Sequence, residues 1–537
     1  MADFAELVQS YLDLRWNLDP VAATAAGVTR YDDRLGVFGA EDVRQYLAAL
    51  KALGSALEEC PVDGLNEEID RTALLDELRY TVHLFDHERP HVVNPTFWVS
   101  HALEAVHLLM VHSDRTDEER STSIAARVRG VPRFLELARS TLHDCPTVFV
   151  ETALDVVAEG GELLAEVERQ WGAEAGAEPE LSEVCDAARE ALLEFGDYLR
   201  EDLLENGAAE FAIGEEAFNF RLHFQHALRT TAPELWRYGL ALVDDVERQV
   251  SEIAREIEPN RPWRDVVEWL RADHPESSEL IEAYALHMER SRRFVEEKGL
   301  VTIPSGRLDV VATPDFLRPL IPFAAYQPPG AFSGLKLGWF YVTPPDRSMD
   351  PAKQERLLRA HCAYDIPSTA LHEGYPGHHL QFLAAQALPS AVRKTVGTAL
   401  TIEGWALYCE EMMAEQGFFA TPEERLFQKV ALLWRACRIV LDVGLHTRGM
   451  RVEDAVDLLV ERVAFDRSQA EAEVRRYCAE PTYQLCYAVG LRELMALREA
   501  YEVSRGPDFS LRRFHDDLLS YGGLPVSLIR WGMGIDE

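Results

Sequence analysis

The residues best suited to chemistry lie in one stretch, Leu371-His372-Glu373-Gly374-Tyr375-Pro376-Gly377-His378-His379-Leu380-Gln381. A zinc hydrolase helix commonly reads H-E-x-x-H: two imidazoles four residues apart face one ion, and the Glu beside the first acts as general base. Here that spacing is broken, because Pro376 stands where the second histidine would be. On an unbroken helix, His379 would share a face with His372, two turns away. Pro376 and Gly377 argue against an unbroken helix, since proline removes a backbone donor and glycine lowers helix stability. A kink that loops two residues out leaves His-Glu, two residues, then His378. This favours His378 as the second ligand, with His379 as its rival.

Two histidines need a third ligand, and a fourth position must stay open to water if the site is to hydrolyse anything. Thr401-Ile402-Glu403-Gly404-Trp405-Ala406-Leu407-Tyr408-Cys409-Glu410-Glu411 supplies a candidate in Glu403. It lies 25 residues beyond His378, enough for a helix end, a turn and an antiparallel return. Glu410 falls two turns further along the same face, where it could hydrogen-bond a ligand imidazole from outside. The site expected is one Zn2+ held by His372, His378 and Glu403, with Glu373 as base. Two histidines and one carboxylate suit zinc, though they do not exclude other divalent ions. Tyr487, His446 and Tyr483 are the candidates to stabilise an oxyanion. Arg435, Arg438 and Arg476 could grip a substrate carboxylate through bidentate hydrogen bonds.

These residues must be positioned by helices. The first 300 residues carry apolar positions at helical spacing over roughly 67–86, 102–112, 117–143, 150–171, 181–206, 233–257 and 276–298, with Asp42 suited to cap a helix over Val43, Leu47, Leu50 and Leu53. Residues 172–179, small and polar, read as a connector. Over 301–345 the pattern turns β-prone at Val301–Pro304, Leu308–Val311 and Trp339–Val342. Trp339–Val342 could offer an edge to an extended substrate, and Gly330, Gly334 and Gly338 could form a mobile lid. Helical pattern resumes near Gln354 and runs to about 505. The fold expected is mainly α: an N-terminal helical half (1–300), a small β element with a loop (301–345) and a helical catalytic half (346–537) of zincin-like character, the two halves flanking a deep cleft.

Composition sets limits. Apolar residues make up 47% of the 537 and charged residues 27%, an ordinary globular balance. The formal net charge of −37 repels phosphate, so neither nucleic acid nor an anionic membrane is the expected partner. The eight cysteines form no C-x-x-C pair and read as scattered thiols. The N-terminal residues lack the basic and apolar regions of a signal peptide, and no apolar run reaches membrane-spanning length, so a cytoplasmic protein is expected. No G-x-S-x-G elbow and no phosphate-binding loop is present.

The segments His372–His378 and Glu403–Tyr408 resemble the two signatures of the bacterial family known as domain of unknown function 885. That family looks like a distant relative of the gluzincin peptidases, with thimet-type oligopeptidase, angiotensin-converting enzyme and carboxypeptidase Taq as mechanistic analogues. Pro20–Gly27, Tyr31-Asp32, Asp442–His446, Arg476-Tyr477, Pro481–Gly490 and Phe514–Asp516 carry the resemblance over most of the chain. It implies His372, His378 and Glu403 as zinc ligands and Glu373 as base. Thr482 is a departure, standing where the family often has glycine. The activity implied is hydrolysis of peptide bonds in short peptides. A metal-dependent amidohydrolase acting on a small molecule or modified amino acid is the alternative, and a non-catalytic zinc-binding scaffold the second.

Overall fold

The computed structural model describes residues 3–111, 115–171, 181–205, 209–314, 318, 321, 323–346 and 348–535. The 172–179 connector lies outside them. The protein is mainly helical, with 72% of the chain in helix. The chain divides into two compact units: Met1–Phe211 with Asp315–Leu320 and Gly330–Leu335, and Ala212–Pro314 with Ile321–Pro329 and Lys336–Glu537. The division thus falls after Phe211 and not at 300. The helices over 214–298 join the second unit because their apolar faces pack on its helices and sheet.

The first unit is built from long helices, among them Phe4–Leu18, Ala40–Glu59, Gly64–His83, Pro95–Val111, Asp117–Thr141, Thr147–Trp171 and Leu181–Tyr198. The third and last of these run on into π-helical turns, Leu84–Glu88 and Leu199–Leu204. Asp42 is not the N-cap of its helix. The helix begins at Ala40 after Gly39, which leaves Asp42 in the first turn, where an acid still favours the helix dipole.

In the second unit the helix Ala232–Ile257 buries Leu235, Gly239, Val243, Val246, Val250 and Ala254, a stripe three or four residues apart. It packs on the helix Pro422–Thr447, which is buried around most of its circumference and forms a central pillar. Three strands make the only sheet among the described residues: β1 (Arg307–Ala312), β2 (Ala324–Gln327) and β3 (Leu337–Val342), in the order β1-β3-β2. β1 is parallel to β3, with Val310 opposite Phe340, and β2 is antiparallel to it, with Tyr326 opposite Phe340. Val301–Pro304 forms no strand. Phe340 and Val342 pack with Leu280, Tyr284 and Met288 of the helix Leu280–Lys298 and with Ile366 and Ala370. Ile366 and Ala370 belong to the helix that ends in His372 and Glu373, so this apolar cluster fixes that helix against the sheet.

Candidate metal centre

The helix Ile366–Glu373 stops just after the first two residues of interest, and the helix His378–Gln386 starts with the next. The turn between them, Gly374-Tyr375-Pro376-Gly377, contains a cis Tyr375–Pro376 bond. A Cβ on Gly377 would lie 1.8 Å from the His372 carbonyl oxygen, so no other residue fits there. The break turns the second helix back, and the His372 and His378 rings stand edge to face with centroids 4.9 Å apart.

The carboxylate comes from the helix Ala399–Glu415. Trp405 of that helix donates its indole N–H to the Pro376 carbonyl at 2.9 Å and so ties the helix to the turn. On its other side it crosses the helix Cys486–Arg505 so closely that a Cβ on Gly404 would lie 2.6 Å from the Gly490 Cα, and one on Gly490 2.1 Å from the Leu400 carbonyl. This crossing places Glu403 between the two histidines and Tyr483. Glu403 Oε2 is 3.4 Å from His378 Nε2 and 4.0 Å from His372 Nε2. His372, His378 and Glu403 each offer one ligand atom, and these atoms all lie within 4.8 Å of one another.

The remaining donor and acceptor atoms of the trio are held from outside. His372 Nδ1 lies 2.8 Å from Glu410 Oε1, and the Ser368 hydroxyl donates to Glu410 Oε2 at 3.1 Å. The Tyr483 hydroxyl donates to Glu403 Oε1 at 2.6 Å. His378 Nδ1 is 3.5 Å from Gln381 Oε1. Two imidazole nitrogens and one carboxylate oxygen are left facing a common point. Ligands 2.0–2.1 Å from a tetrahedral ion stand about 3.3 Å apart; the trio's separations of 3.4 and 4.0 Å are wider, while two imidazoles and a carboxylate are the donor types that hold a divalent cation.

The electrostatics match a buried charged cluster. Burial opposes protonation of His378, but the hydrogen bond and charge of Glu403, with Glu373 behind, raise its pKa to about 9. Burial works to raise Glu403, yet the hydrogen bond from His378, the charges of both histidines and the Tyr483 hydroxyl bring it down to about 2. Glu410 is likewise pushed up by burial and brought below its ordinary value by His372 and by the charge of Arg435.

His379 is not in the trio. It is fully buried, with Nδ1 3.0 Å from the Tyr326 hydroxyl of β2, and among the described residues its Nε2 has no hydrogen-bond partner. Tyr487 lies one helical turn from Tyr483, edge-on to its ring at 6.0 Å, and burial with the Glu403 charge lifts its pKa to about 12. His446 is not one of the trio: its Nε2 is 3.0 Å from the Tyr477 carbonyl and its ring stacks on Phe218. Burial lowers its pKa to about 4, which keeps the ring neutral.

Two further expectations are overturned. β3, which carries Trp339–Val342, is the central strand and both its edges are taken, so it cannot receive an extended substrate. Gly338 is no lid hinge, being buried in that strand where a Cβ would lie 2.8 Å from both His379 Nδ1 and the Tyr326 hydroxyl.

Several residues that hold the centre carry no spacing signal because they come from distant parts of the chain. Asp442 accepts the backbone N–H groups of Thr482 at 3.0 Å and Leu485 at 3.1 Å, and so clamps the turn that carries Tyr483. Thr482 has φ +67°, a region costly for a β-branched residue and open to glycine. Its hydroxyl donates to Gln225 and lies 3.2 Å from His226 Nε2, so buried hydrogen bonds hold the strained turn in place.

Fold and site together define a mainly helical protein with a buried two-histidine, one-carboxylate cluster at a helix break. The signature of a family described as bacterial protein of unknown function (DUF885) matches residues 20–533, and the chain belongs to that family. Two solved structures share the fold. One is a candidate lipoprotein of unknown function from Shewanella oneidensis, 24% identical, with a TM-score of 0.82 over 99% of this chain and 100% of that one. The other is a candidate lipoprotein from Colwellia psychrerythraea, 18% identical, with a TM-score of 0.84 over 99% and 98%. No curated protein matches the chain.

Proposed function

We propose that the protein is a zinc-dependent hydrolase of peptide bonds in short peptides, of gluzincin type. The observation that carries this reading is the convergence of His372 Nε2, His378 Nε2 and Glu403 Oε2 with their outer atoms already held, directly beside Glu373. A binding scaffold would have no use for that neighbouring carboxylate. Zinc held by the trio would supply Lewis acidity, polarising the scissile carbonyl and acidifying water. Glu373 takes a proton from the attacking water and passes it to the departing amine, so the two transfers balance. Its nearness to the reacting centre is supported by the effect of its charge on His378. Tyr483 holds Glu403 in place, and Tyr487, the neighbouring hydroxyl, is the donor for the oxyanion. His446 leaves the catalytic set because its Nε2 is committed to a backbone carbonyl.

Among the described residues no helix is long and apolar enough to cross a membrane. A cytoplasmic location remains part of the proposal, and cell fractionation tests it. The reading itself is tested with a panel of short peptides and N-acylated small amides incubated with the zinc-loaded chain and with Glu373→Gln. Peptide cleavage that is lost in Glu373→Gln while zinc stays bound is the expected result. Cleavage of small amides alone would replace the peptidase reading, and turnover unchanged in Glu373→Gln would remove the assigned base.

A further inference from the structure

Three arginines lie in the second unit near the candidate centre, and their surroundings separate them. Arg438 pairs with Glu473 at 3.3 Å, donates to the Tyr477 hydroxyl at 3.0 Å and lies over the Trp434 ring at 3.9 Å. Arg476 pairs with the same Glu473 at 2.8 Å and with Glu480 at 3.5 Å. Both guanidinium groups are committed.

Arg435 is different. It forms no ion pair among the described residues, in a chain where 91 acidic residues face 54 basic ones. Its one described hydrogen bond goes from Nη1 to the Ala431 carbonyl at 3.3 Å, and its Nε is buried with no partner among the described residues. The side chain is half-buried, with its guanidinium 5.0 Å from the Trp434 ring centroid and 5.9 Å from that of Tyr487. Tyr487 in turn meets Tyr483, whose hydroxyl sits on Glu403. The cation therefore stands on the tyrosine side of the trio, and its charge reaches Glu410 behind His372. A planar fork of donors with a buried, unused N–H beside aromatic rings is the chemistry that captures a carboxylate through two parallel hydrogen bonds.

We infer that Arg435 is a substrate-recognition residue that binds the free C-terminal carboxylate of a short peptide, so that the enzyme acts close to peptide C-termini. This deepens the peptidase reading and rests on it. Asp365 and Glu410 feel its charge without touching it, so the hydrogen-bonding fork of the guanidinium, and not its charge alone, is left for the substrate. Internal bonds of long chains and C-terminally amidated peptides would lack the anchor.

The test uses the zinc-loaded full chain carrying Glu373→Gln, titrated by calorimetry with glycyl-glycyl-phenylalanine and with its C-terminal amide. The acid is expected to bind roughly tenfold to a hundredfold more tightly than the amide, the range for a charge-assisted hydrogen-bonded pair. Adding Arg435→Gln should weaken binding of the acid alone and erase the difference, whereas Arg435→Lys, which keeps the charge but not the fork, should retain part of it. Equal binding of acid and amide, a preference that survives Arg435→Gln, or binding of neither peptide overturns the inference. Turnover by the unmodified chain keeps the two claims apart. Equal cleavage of acid and amide removes the carboxylate anchor and leaves the peptidase standing. Arg435-dependent binding of the acid with no cleavage of either leaves the anchor standing and removes the peptidase.

Discussion

Glu410 and Tyr483 touch the trio from behind, one on His372 and one on Glu403, and each fixes the direction of the atom left over. Partners of this kind typically contribute ten- to a hundredfold in metal affinity. Glu410→Gln and Tyr483→Phe should each weaken zinc binding by roughly that factor in a chelator-competition titration; wild-type affinity in both would show the outer contacts to be incidental. The two adjacent histidines give a sharper contrast. His379→Gln should leave zinc stoichiometry intact, because its imidazole faces Tyr326, whereas His378→Gln should lose the ion. The grouping of the trio was legible as a residue pattern, since His-Glu, a broken return and a later Glu carry their own spacing. The choice between His378 and His379 depended on where the helix ends, which proline and glycine announce. His446 misled because a buried histidine on a family-like segment looks the same in sequence whether it meets a substrate or a backbone carbonyl. Asp442 and His226 were invisible as supports of Tyr483, since each acts across a long stretch of chain.

At the scale of elements, the centre depends on two close approaches, the turn at Gly377 and the helix crossing at Gly404 and Gly490. Gly404→Ala must push the two helices apart. The expected loss is about 1–3 kcal/mol in a denaturant titration, the range for overpacking, together with weaker zinc binding as Glu403 shifts. A variant of unchanged stability and affinity would mean the crossing has slack. The helices were read well from periodicity because a stripe such as Leu235, Val243, Val246 and Val250 states both the element and its buried face. The sheet was read poorly. Ala324-Ala325-Tyr326-Gln327 has little strand propensity and becomes β2 only by pairing with β3. Val301–Pro304 has the propensity but no partner strand. The central place of β3 is long-range information that no local window contains.

For the whole molecule, acid stability follows from buried neutral histidines. Burial lowers His446 and His515 to about 4 and His226 to about 3, against about 6.5 in an unfolded chain. These rings therefore bind more protons in the unfolded chain between those values, and Asp365 and Asp442, raised by burial to about 6 and about 7, offset only part of that difference. The stability these rings support is complete above about pH 6.5 and drains away as pH falls towards 4, by an amount on the order of a few kcal/mol. Urea midpoints measured from pH 7.5 down to 4.5 should fall steadily below pH 6.5, and a flat profile would contradict the neutral burial of these rings. Net charge allowed exclusions to be drawn from composition but said nothing of where chemistry occurs. The break between the units was misplaced because helices over 214–298 look alike to a periodicity reading whichever unit they join.

The claim beneath all of this is that His372, His378 and Glu403 hold one zinc ion. Metal analysis after zinc loading and exhaustive dialysis, on the unmodified chain and on Glu403→Ala, tests it most directly. One zinc per chain in the first and little or none in the second is the result predicted; a chain that retains no zinc, or retains it equally without Glu403, would contradict the account.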